Sequence, residues 1–175
     1  PCMKACPGHT DCQGYVGLVA NGEFEKANEL IKDKIPLPAC IGRVCPHPCE
    51  DACRRGLVDE PISIAMIKRF AGDMDIAAEE RFIPDMEEDT GKTVAIIGGG
   101  PMGLSAAYFL RQRGHEVTIF DSMPKLGGML RYGIPEYRLP KEVLDAEIAI
   151  MEAMGIQIVP NTKVGVDIPL DTIRN

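Results

Sequence analysis

The stretch that decides the fold runs from Thr93 to Gly103 and reads TVAIIGGGPMG. Its first five residues are almost entirely apolar, and such a short run predicts a buried strand of a parallel sheet. The glycines that follow at 98, 100 and 103 form the pattern G-x-G-x-x-G. This pattern allows a tight turn and a close approach of the backbone to a pyrophosphate, whose negative charge a following helix N-terminus favours. The stretch therefore predicts a dinucleotide-binding loop.

The sequence after this loop completes the pattern. Pro101 and Met102 stand at the predicted start of the helix, and a second strand predicted over 115–120 leads to Asp121. A carboxylate about 20 residues beyond the glycines accepts hydrogen bonds from an adenosine ribose. A further helix after Leu139-Pro140 and a strand over 156–159 continue the alternation of strands and helices, which is typical of an α/β parallel sheet. The alternative is a glycine turn beside an exposed aspartate.

A second glycine-rich segment, LGGMLRYGIP over 126–135, directly follows the acidic end of the second predicted strand. Gly127 and Gly128 allow this segment to approach a bound ligand closely. Such a loop suits FAD, whose flavin extends past the pyrophosphate. The alternative is a surface loop with ordinary turn glycines.

All seven cysteines lie in the first part of the chain, which predicts a different chemistry there. Cys2-x3-Cys6-Pro7 matches the end of a bacterial cluster-binding run. A second group begins at Cys40 and Cys45, and its last two members, Cys49 and Cys53, are one helical turn apart. Thiolates supplied by two segments are typical of an iron–sulfur cluster. The predicted ligands are Cys2, Cys6, Cys40, Cys45, Cys49 and Cys53, whereas Cys12 is predicted to be a packing residue.

Other interpretations of the cysteines stay open at this point. They are a disulfide framework, a zinc site formed by Cys45, His47, Cys49 and Cys53, or buried thiols that act as small apolar groups. The basic pairs at 54–55 and 68–69 are predicted to be solvated. The alternative is that a basic residue beside an anionic cluster tunes the potential of that cluster.

Composition excludes several classes of protein. The 175 residues are 45% hydrophobic and 26% charged, with a net charge of −7, which argues against binding to nucleic acid or to an anionic membrane. No apolar run approaches the roughly 18 residues of a membrane span. We expect a helical domain over 1–88, an acidic linker within 85–91 and an α/β domain over 92–175. Three strands are fewer than a doubly wound sheet normally has, so this domain is expected to be incomplete and the chain part of a longer polypeptide.

The combined motifs resemble one family, the small (beta) subunit of NADPH-dependent glutamate synthase and its relatives, which include the N-terminal half of dihydropyrimidine dehydrogenase. The matching segments are residues 2–7, GRVCP at 42–46, CRRG at 53–56, VAIIGGGPMG at 94–103 and YGIP at 132–135. The resemblance implies an α-helical, ferredoxin-like iron–sulfur domain followed by the start of a Rossmann-type FAD-binding domain.

The resemblance also implies an activity. The family comprises cytoplasmic oxidoreductases that pass electrons from NAD(P)H through FAD and [4Fe–4S] clusters to a large catalytic subunit or another acceptor protein. NAD(P)H would bind a downstream domain outside this chain, so no catalytic residue is predicted here and the chain alone is expected to be inactive. The competing hypothesis is a non-catalytic docking module whose cysteines bind zinc or no metal.

The family pattern assigns roles by position. Cys2 and Cys53 would share one cluster with an upstream C-x2-C pair, and Cys6, Cys45 and Cys49 would hold the other. One or two clusters are expected, because that pair is absent, Cys40 stands one place before the family's usual cysteine, and Lys68 occupies the position of a glutamine or glutamate ligand. The predicted FAD-binding residues are Gly98, Gly100, Pro101, Met102, Gly103, Asp121, Lys125, Gly127, Gly128, Leu130, Tyr132 and Arg138.

Overall fold

A computed structural model describes residues 1–174. They divide into two compact units, residues 1–82 and residues 83–174. The helices of the first unit are α1 (Cys2–Ala5), α2 (Cys12–Ala20), α3 (Phe24–Lys32), α4 (Pro38–Val44), α5 (Pro48–Asp51) and α6 (Ile64–Ala77), with a 3₁₀ turn at Arg54–Leu57. The second unit contains β1 (Thr93–Ile97), α7 (Pro101–Gln112), β2 (Glu116–Phe120), α8 (Met129–Tyr132), α9 (Lys141–Ala153), β3 (Gln157–Val159) and α10 (Leu170–Arg174). The predicted fold class, an all-α iron–sulfur type of domain followed by a Rossmann-type α/β region, is confirmed.

The helices of the first unit pack around a core that includes cysteines. Tyr15, Ala27, Ile31, Ile64 and Ala71 are buried together with Cys2, Cys12 and Cys49. Burying these side chains supplies the apolar contact that short helices need to be stable. The core therefore brings cysteines from α1, α2 and α5 into one neighbourhood.

Helices α4 and α6 cross closely because each presents a glycine to the other. A Cβ on Gly42 would lie 2.6 Å from the Cα of Arg69, and one on Gly72 would lie 2.6 Å from the backbone nitrogen of Ala39. Neither contact leaves room for a methyl group. The crossing fixes the position of α4, which ends at Val44 just before Cys45, relative to α6.

A buried ion pair holds the end of the first unit. The Lys32 ammonium on α3 lies 3.1 Å from a carboxylate oxygen of Asp75 on α6, and both side chains are more than nine-tenths buried. Asp75 also accepts a 2.8 Å hydrogen bond from the Phe82 backbone N–H. The last residues of the unit are thus anchored to its helices.

The sheet of the second unit is parallel, with β2 between β1 and β3. Val117 and Ile119 of β2 are buried, and the helices α7 and α9 contact each other and cover apolar side chains. The prediction that β1 is a buried strand is wrong. Residues of β1 alternate between exposed and half-buried, and Ile97 is 59% exposed, because in the described part of the chain β1 pairs only with β2.

The acidic segment predicted to be a linker instead packs onto the second unit. The Glu87 N–H donates to the carbonyl of Gln112, and the Thr90 N–H donates to that of Gly114. Gly114 has a left-handed conformation with φ of 75°, and a Cβ there would lie 2.0 Å from the Glu88 carbonyl oxygen. Because Gly114 has no side chain, the acidic segment can pack against this turn. The composition of the acidic segment does not reveal this contact.

Candidate functional site: a glycine loop and two groups of cysteines

The G-x-G-x-x-G loop connects β1 to α7, as predicted. Gly98 has a φ of 101°, which favours glycine, and a Cβ on Gly103 would lie 1.9 Å from the Gly98 carbonyl oxygen. Pro101 and Met102 open α7 on the surface. Among the described residues, the amides of Met102 and Gly103 have no backbone acceptor, so they can donate to an anion at the helix N-terminus.

Asp121 braces this loop from the end of β2. One of its carboxylate oxygens accepts a 2.6 Å hydrogen bond from the Gly99 N–H, and the other accepts a 2.8 Å bond from the Met123 N–H. The sequence predicted a ribose-binding carboxylate here but not this bond to the loop. A carboxylate has about four acceptor sites, so two bonds leave capacity for a ligand hydroxyl.

The second glycine segment lies against the first. The Gly127 N–H donates to the Gly99 carbonyl at 2.8 Å, and a Cβ on Gly128 would lie 2.8 Å from the Cα of Gly100. Leu126 packs over Gly99, where a Cβ would lie 2.3 Å from the leucine side chain. The two loops therefore form one glycine-lined surface.

The remaining residues predicted to bind FAD occupy different environments. Leu130 is buried, Arg138 is exposed, and the half-exposed Tyr132 hydroxyl donates to the carbonyl of Lys125. The Lys125 ammonium lies 3.5 Å from Asp145 and lines a cavity of about 400 Å³. The structure thus gathers the glycines and Asp121, while Leu130 serves the packing of α8.

One group of cysteines surrounds a cavity of about 410 Å³ in the first unit. Cys2, Cys12 and Cys53 all line it, and Arg54 and Arg55 stand at its wall. Family position pairs Cys2 with Cys53, and the structure adds Cys12, which the sequence predicted to be a packing residue. Cys12 is buried in the core as expected, but nothing in its spacing signalled that it would also face this cavity.

The thiols of this first group differ in acidity. Burial raises the pKa of Cys12 to about 12, although a hydrogen bond with the Tyr15 hydroxyl opposes the shift. Backbone hydrogen bonds from Ile62 and Arg55 lower the pKa of the more exposed Cys53. Because the thiolate is the form that binds metal, Cys53 is the readier ligand of the two.

The second group consists of Cys6, Cys45 and Cys49. Burial raises the pKa of the Cys49 thiol, the neighbouring Cys45 and Cys6 add to that rise, and the charge of Lys68 opposes it. The His47 N–H donates to the Cys45 sulfur at 3.3 Å. Cys6 and Cys45 thus influence Cys49 electrostatically, but Cys6 and Cys49 likewise influence Cys12 of the first group, so the assignment of these three cysteines to one cluster stays a prediction.

Thr10 supports this second group, a contact that sequence reasoning missed. The Cys6 thiol lies 3.6 Å from the Thr10 hydroxyl oxygen. Burial works against ionisation of Cys6, but hydrogen bonds from Thr10 and Gly8 and the charge of Lys68 outweigh it, so the pKa of Cys6 is lowered. The prediction that Lys68 is solvated is wrong, since its side chain is buried.

Cys40 stands apart within the helix α4, where it is wholly buried. In the part of the chain that the structure describes, no three His, Cys, Asp or Glu side chains converge as a single metal ion would require. This includes the four residues of the alternative zinc site. A cluster binds each thiolate at a separate iron, so its ligands need not meet at one point.

Comparisons with known protein families agree with this division. Residues 1–81 match the family model described as dihydropyrimidine dehydrogenase domain II, 4Fe-4S cluster. Residues 96–158 match the NAD(P)-binding Rossmann-like domain. The predicted resemblance to the glutamate synthase small-chain family is confirmed.

Curated relatives resemble this chain over nearly its whole length but match it with only part of their own. The chain is 43% identical to the beta subunit of NADP(+)-dependent formate dehydrogenase of Moorella thermoacetica, 40% to the dihydropyrimidine dehydrogenase subunit PreT of Escherichia coli and 37% to the glutamate synthase [NADPH] small chain of Mycobacterium tuberculosis. These matches cover 99% of this chain but only 28%, 42% and 36% of the respective relatives. Among the described helices, none is long and apolar enough to cross a membrane.

Proposed function

We propose that this chain is the FAD- and iron–sulfur-binding part of an NAD(P)H-dependent oxidoreductase that delivers electrons to a partner active site. The observation that carries the proposal is the presence, in one chain, of a braced dinucleotide-binding loop and two groups of buried or half-buried thiols. The relatives named above are oxidoreductase subunits with the same two elements. A flavin accepts electrons as a pair and releases them singly, which is why it serves between a nicotinamide and a cluster.

The residues fit FAD at the glycine-lined surface. Gly98, Gly100 and Gly103 leave the backbone open to the pyrophosphate, and the N–H groups at the start of α7 would hold its charge. Asp121 keeps acceptor capacity for the ribose hydroxyls. Gly127 and Gly128 would allow the rest of the cofactor to pass close to the second loop.

The residues also fit iron–sulfur clusters. Cys6, Cys45 and Cys49 would hold one cluster, since they are electrostatic neighbours in a partly buried site. Cys2 and Cys53 would contribute to a second one at the 410 Å³ cavity. Cys40 is assigned to neither, because it is wholly buried within α4.

We further propose that NAD(P)H binds outside these 175 residues, because the sequence holds one glycine fingerprint and FAD would occupy it. The chain alone would then not oxidise NAD(P)H. Its acceptor would be a large catalytic subunit, as in glutamate synthase, or another acceptor protein, and the complex would act in the cytoplasm.

The test is the content of iron, acid-labile sulfide and FAD per chain after anaerobic reconstitution. About four irons would indicate one [4Fe–4S] cluster, and about eight would indicate two. Replacing Cys45 with serine should remove one cluster, whereas the matched variant Cys40→Ser should retain the wild-type iron content. Zinc in place of iron, or no metal at all, would refute the electron-transfer function and favour a docking module.

A further inference from the structure

Lys68 is a buried cation on the face of α6 that points into the first unit. Ile64 and Ala71, about one turn before and after it, both belong to the core cluster that contains Cys49. The Lys68 side chain between them is only 5% exposed. The side chain of its neighbour Arg69 is 41% exposed and lies 3.5 Å from Asp73.

A hydrogen bond between α5 and α6 holds the helix that carries Cys49 against the helix that carries Lys68. A carboxylate oxygen of Glu50, on α5, accepts a 2.8 Å hydrogen bond from the Ala65 N–H in the first turn of α6. This bond holds Cys49, the residue before Glu50, against α6. The charge of Lys68 lowers the pKa of Cys49, and it also lowers the pKa of Cys6, which follows α1.

No carboxylate compensates this cation in the part of the chain that is described. The other buried lysine, Lys32, has Asp75 at 3.1 Å, whereas no acid lies within 4 Å of the Lys68 ammonium among residues 1–174. Glu50 is occupied by the Ala65 N–H and by His47, whose ring nitrogen lies 3.3 Å away. A buried charge is unfavourable unless an opposite charge accompanies it. An anion beside the three thiols would therefore stabilise the buried Lys68 ammonium.

We propose that Lys68 is the fixed counter-charge of a cluster held by Cys6, Cys45 and Cys49 and sets its reduction potential without binding iron. The inference rests on the proposed function. Thiolates make a cluster anionic, and each electron that it accepts adds a negative charge, so a nearby ammonium stabilises the reduced form and raises the potential. A protonated lysine has no lone pair to offer to iron. Lys68 thus places a positive charge near the cluster and does not bind iron.

The experiment compares the anaerobically reconstituted wild-type chain with three variants. Lys68→Met removes the charge and keeps the length of the side chain, while Lys68→Arg keeps the charge. Arg69→Gln is the matched control, because it removes one positive charge from the adjacent position, where the side chain is half-exposed and paired with Asp73. Iron and sulfide per chain and the midpoint potential of each cluster, from a redox titration followed by electron paramagnetic resonance, are measured for all four proteins.

We expect Lys68→Met to retain the wild-type iron content but to lower the potential of one cluster, with reduction about tenfold less favourable, or about 59 mV for one electron. Lys68→Arg and Arg69→Gln should keep the wild-type potentials. An unchanged potential in Lys68→Met would overturn the counter-charge role, and so would a loss of iron in that variant, which would make Lys68 a ligand or a structural support. A wild-type chain without iron would instead refute the proposed function, and this role with it.

Discussion

The crossing of α4 and α6 gives a quantitative prediction, because Gly72 can be compared with another helical glycine of the same unit. A Cβ on Gly72 would lie 2.6 and 2.9 Å from the nitrogen and Cα of Ala39, whereas nothing lies within 4 Å of one on Gly17 in α2. Both substitutions to alanine gain about 1 kcal/mol of helix propensity. Only Gly72→Ala adds a steric cost, so the difference between the two variants measures that cost.

The magnitude follows from the distances. To restore the 3.4 Å of ordinary van der Waals contact, the two helices must separate by about 0.8 Å, and the atoms that obstruct are backbone atoms that no rotamer change can move. Overpacking of this kind costs about 1–3 kcal/mol, and we expect the upper part of that range. Gly17→Ala should therefore raise the free energy of unfolding by about 1 kcal/mol, and Gly72→Ala should lower it by about 2 kcal/mol.

The assay is urea unfolding followed by circular dichroism at 222 nm, on variants prepared with the same iron content. With a slope of about 2 kcal/mol per molar, Gly72→Ala should lower the midpoint of the helical unit by about 1 M. Equal midpoints for the two variants would refute the reasoning, since they would mean that α4 and α6 do not approach each other as closely as described.

Three further predictions concern a buried ion pair, a carboxylate at the glycine loop and two cysteine thiols. Asp75→Ala removes the carboxylate of the buried Lys32–Asp75 ion pair and should lower the free energy of unfolding by about 3–5 kcal/mol, measured by urea denaturation. Asp121→Asn replaces one charged acceptor and should weaken FAD binding about tenfold, measured by flavin fluorescence. In the reduced, metal-free chain, Cys53 should be alkylated at lower pH than an ordinary thiol because its pKa is lowered, whereas Cys12 should be alkylated more slowly than an ordinary thiol because burial raises its pKa, as peptide mass spectrometry would report.

Each of these predictions has a control and a contrary outcome. Asp33→Ala removes an exposed ion pair and should leave the midpoint unchanged; an Asp75→Ala variant as stable as this one would contradict the buried pair. Asp171→Asn, on the exposed face of α10, should bind FAD normally, and an equal loss in both variants would show that Asp121 is not specific. Alkylation of Cys12 before Cys53 would contradict the burial of Cys12.

The glycine loop and the strand and helix on either side of it could be predicted from the sequence because local rules determine them. An apolar run, three glycines and a carboxylate at fixed spacing specify a strand, a turn and a helix whatever surrounds them. The exposure of β1 depends instead on which strands lie beside it, and an apolar run alone does not specify that. The close approach at Gly72 was equally hidden, because a glycine inside a helix predicts only local weakness until its neighbour is known.

The candidate metal site shows the same division. The family resemblance placed Cys6, Cys45 and Cys49 in one group, which stays a prediction, although Cys6 and Cys45 do influence Cys49 electrostatically in the structure. Lys68 was predicted to be solvated because basic pairs usually are, and only the packing of α5 against α6 shows that it is buried while Arg69 is half-exposed. Burial of a charge is a tertiary property, so composition could not reveal it.

The open side of β1 has a consequence for the solubility of this chain at high concentration. Its residues VAII carry no charge and no proline, and within residues 1–174 the far edge of the strand offers its backbone N–H and carbonyl groups to any strand that arrives. Such an edge is a template for pairing with a second copy and then for aggregation. A lysine at the exposed Ala95 would act as a gatekeeper against that stacking while leaving the half-buried Val94 and Ile96 in place.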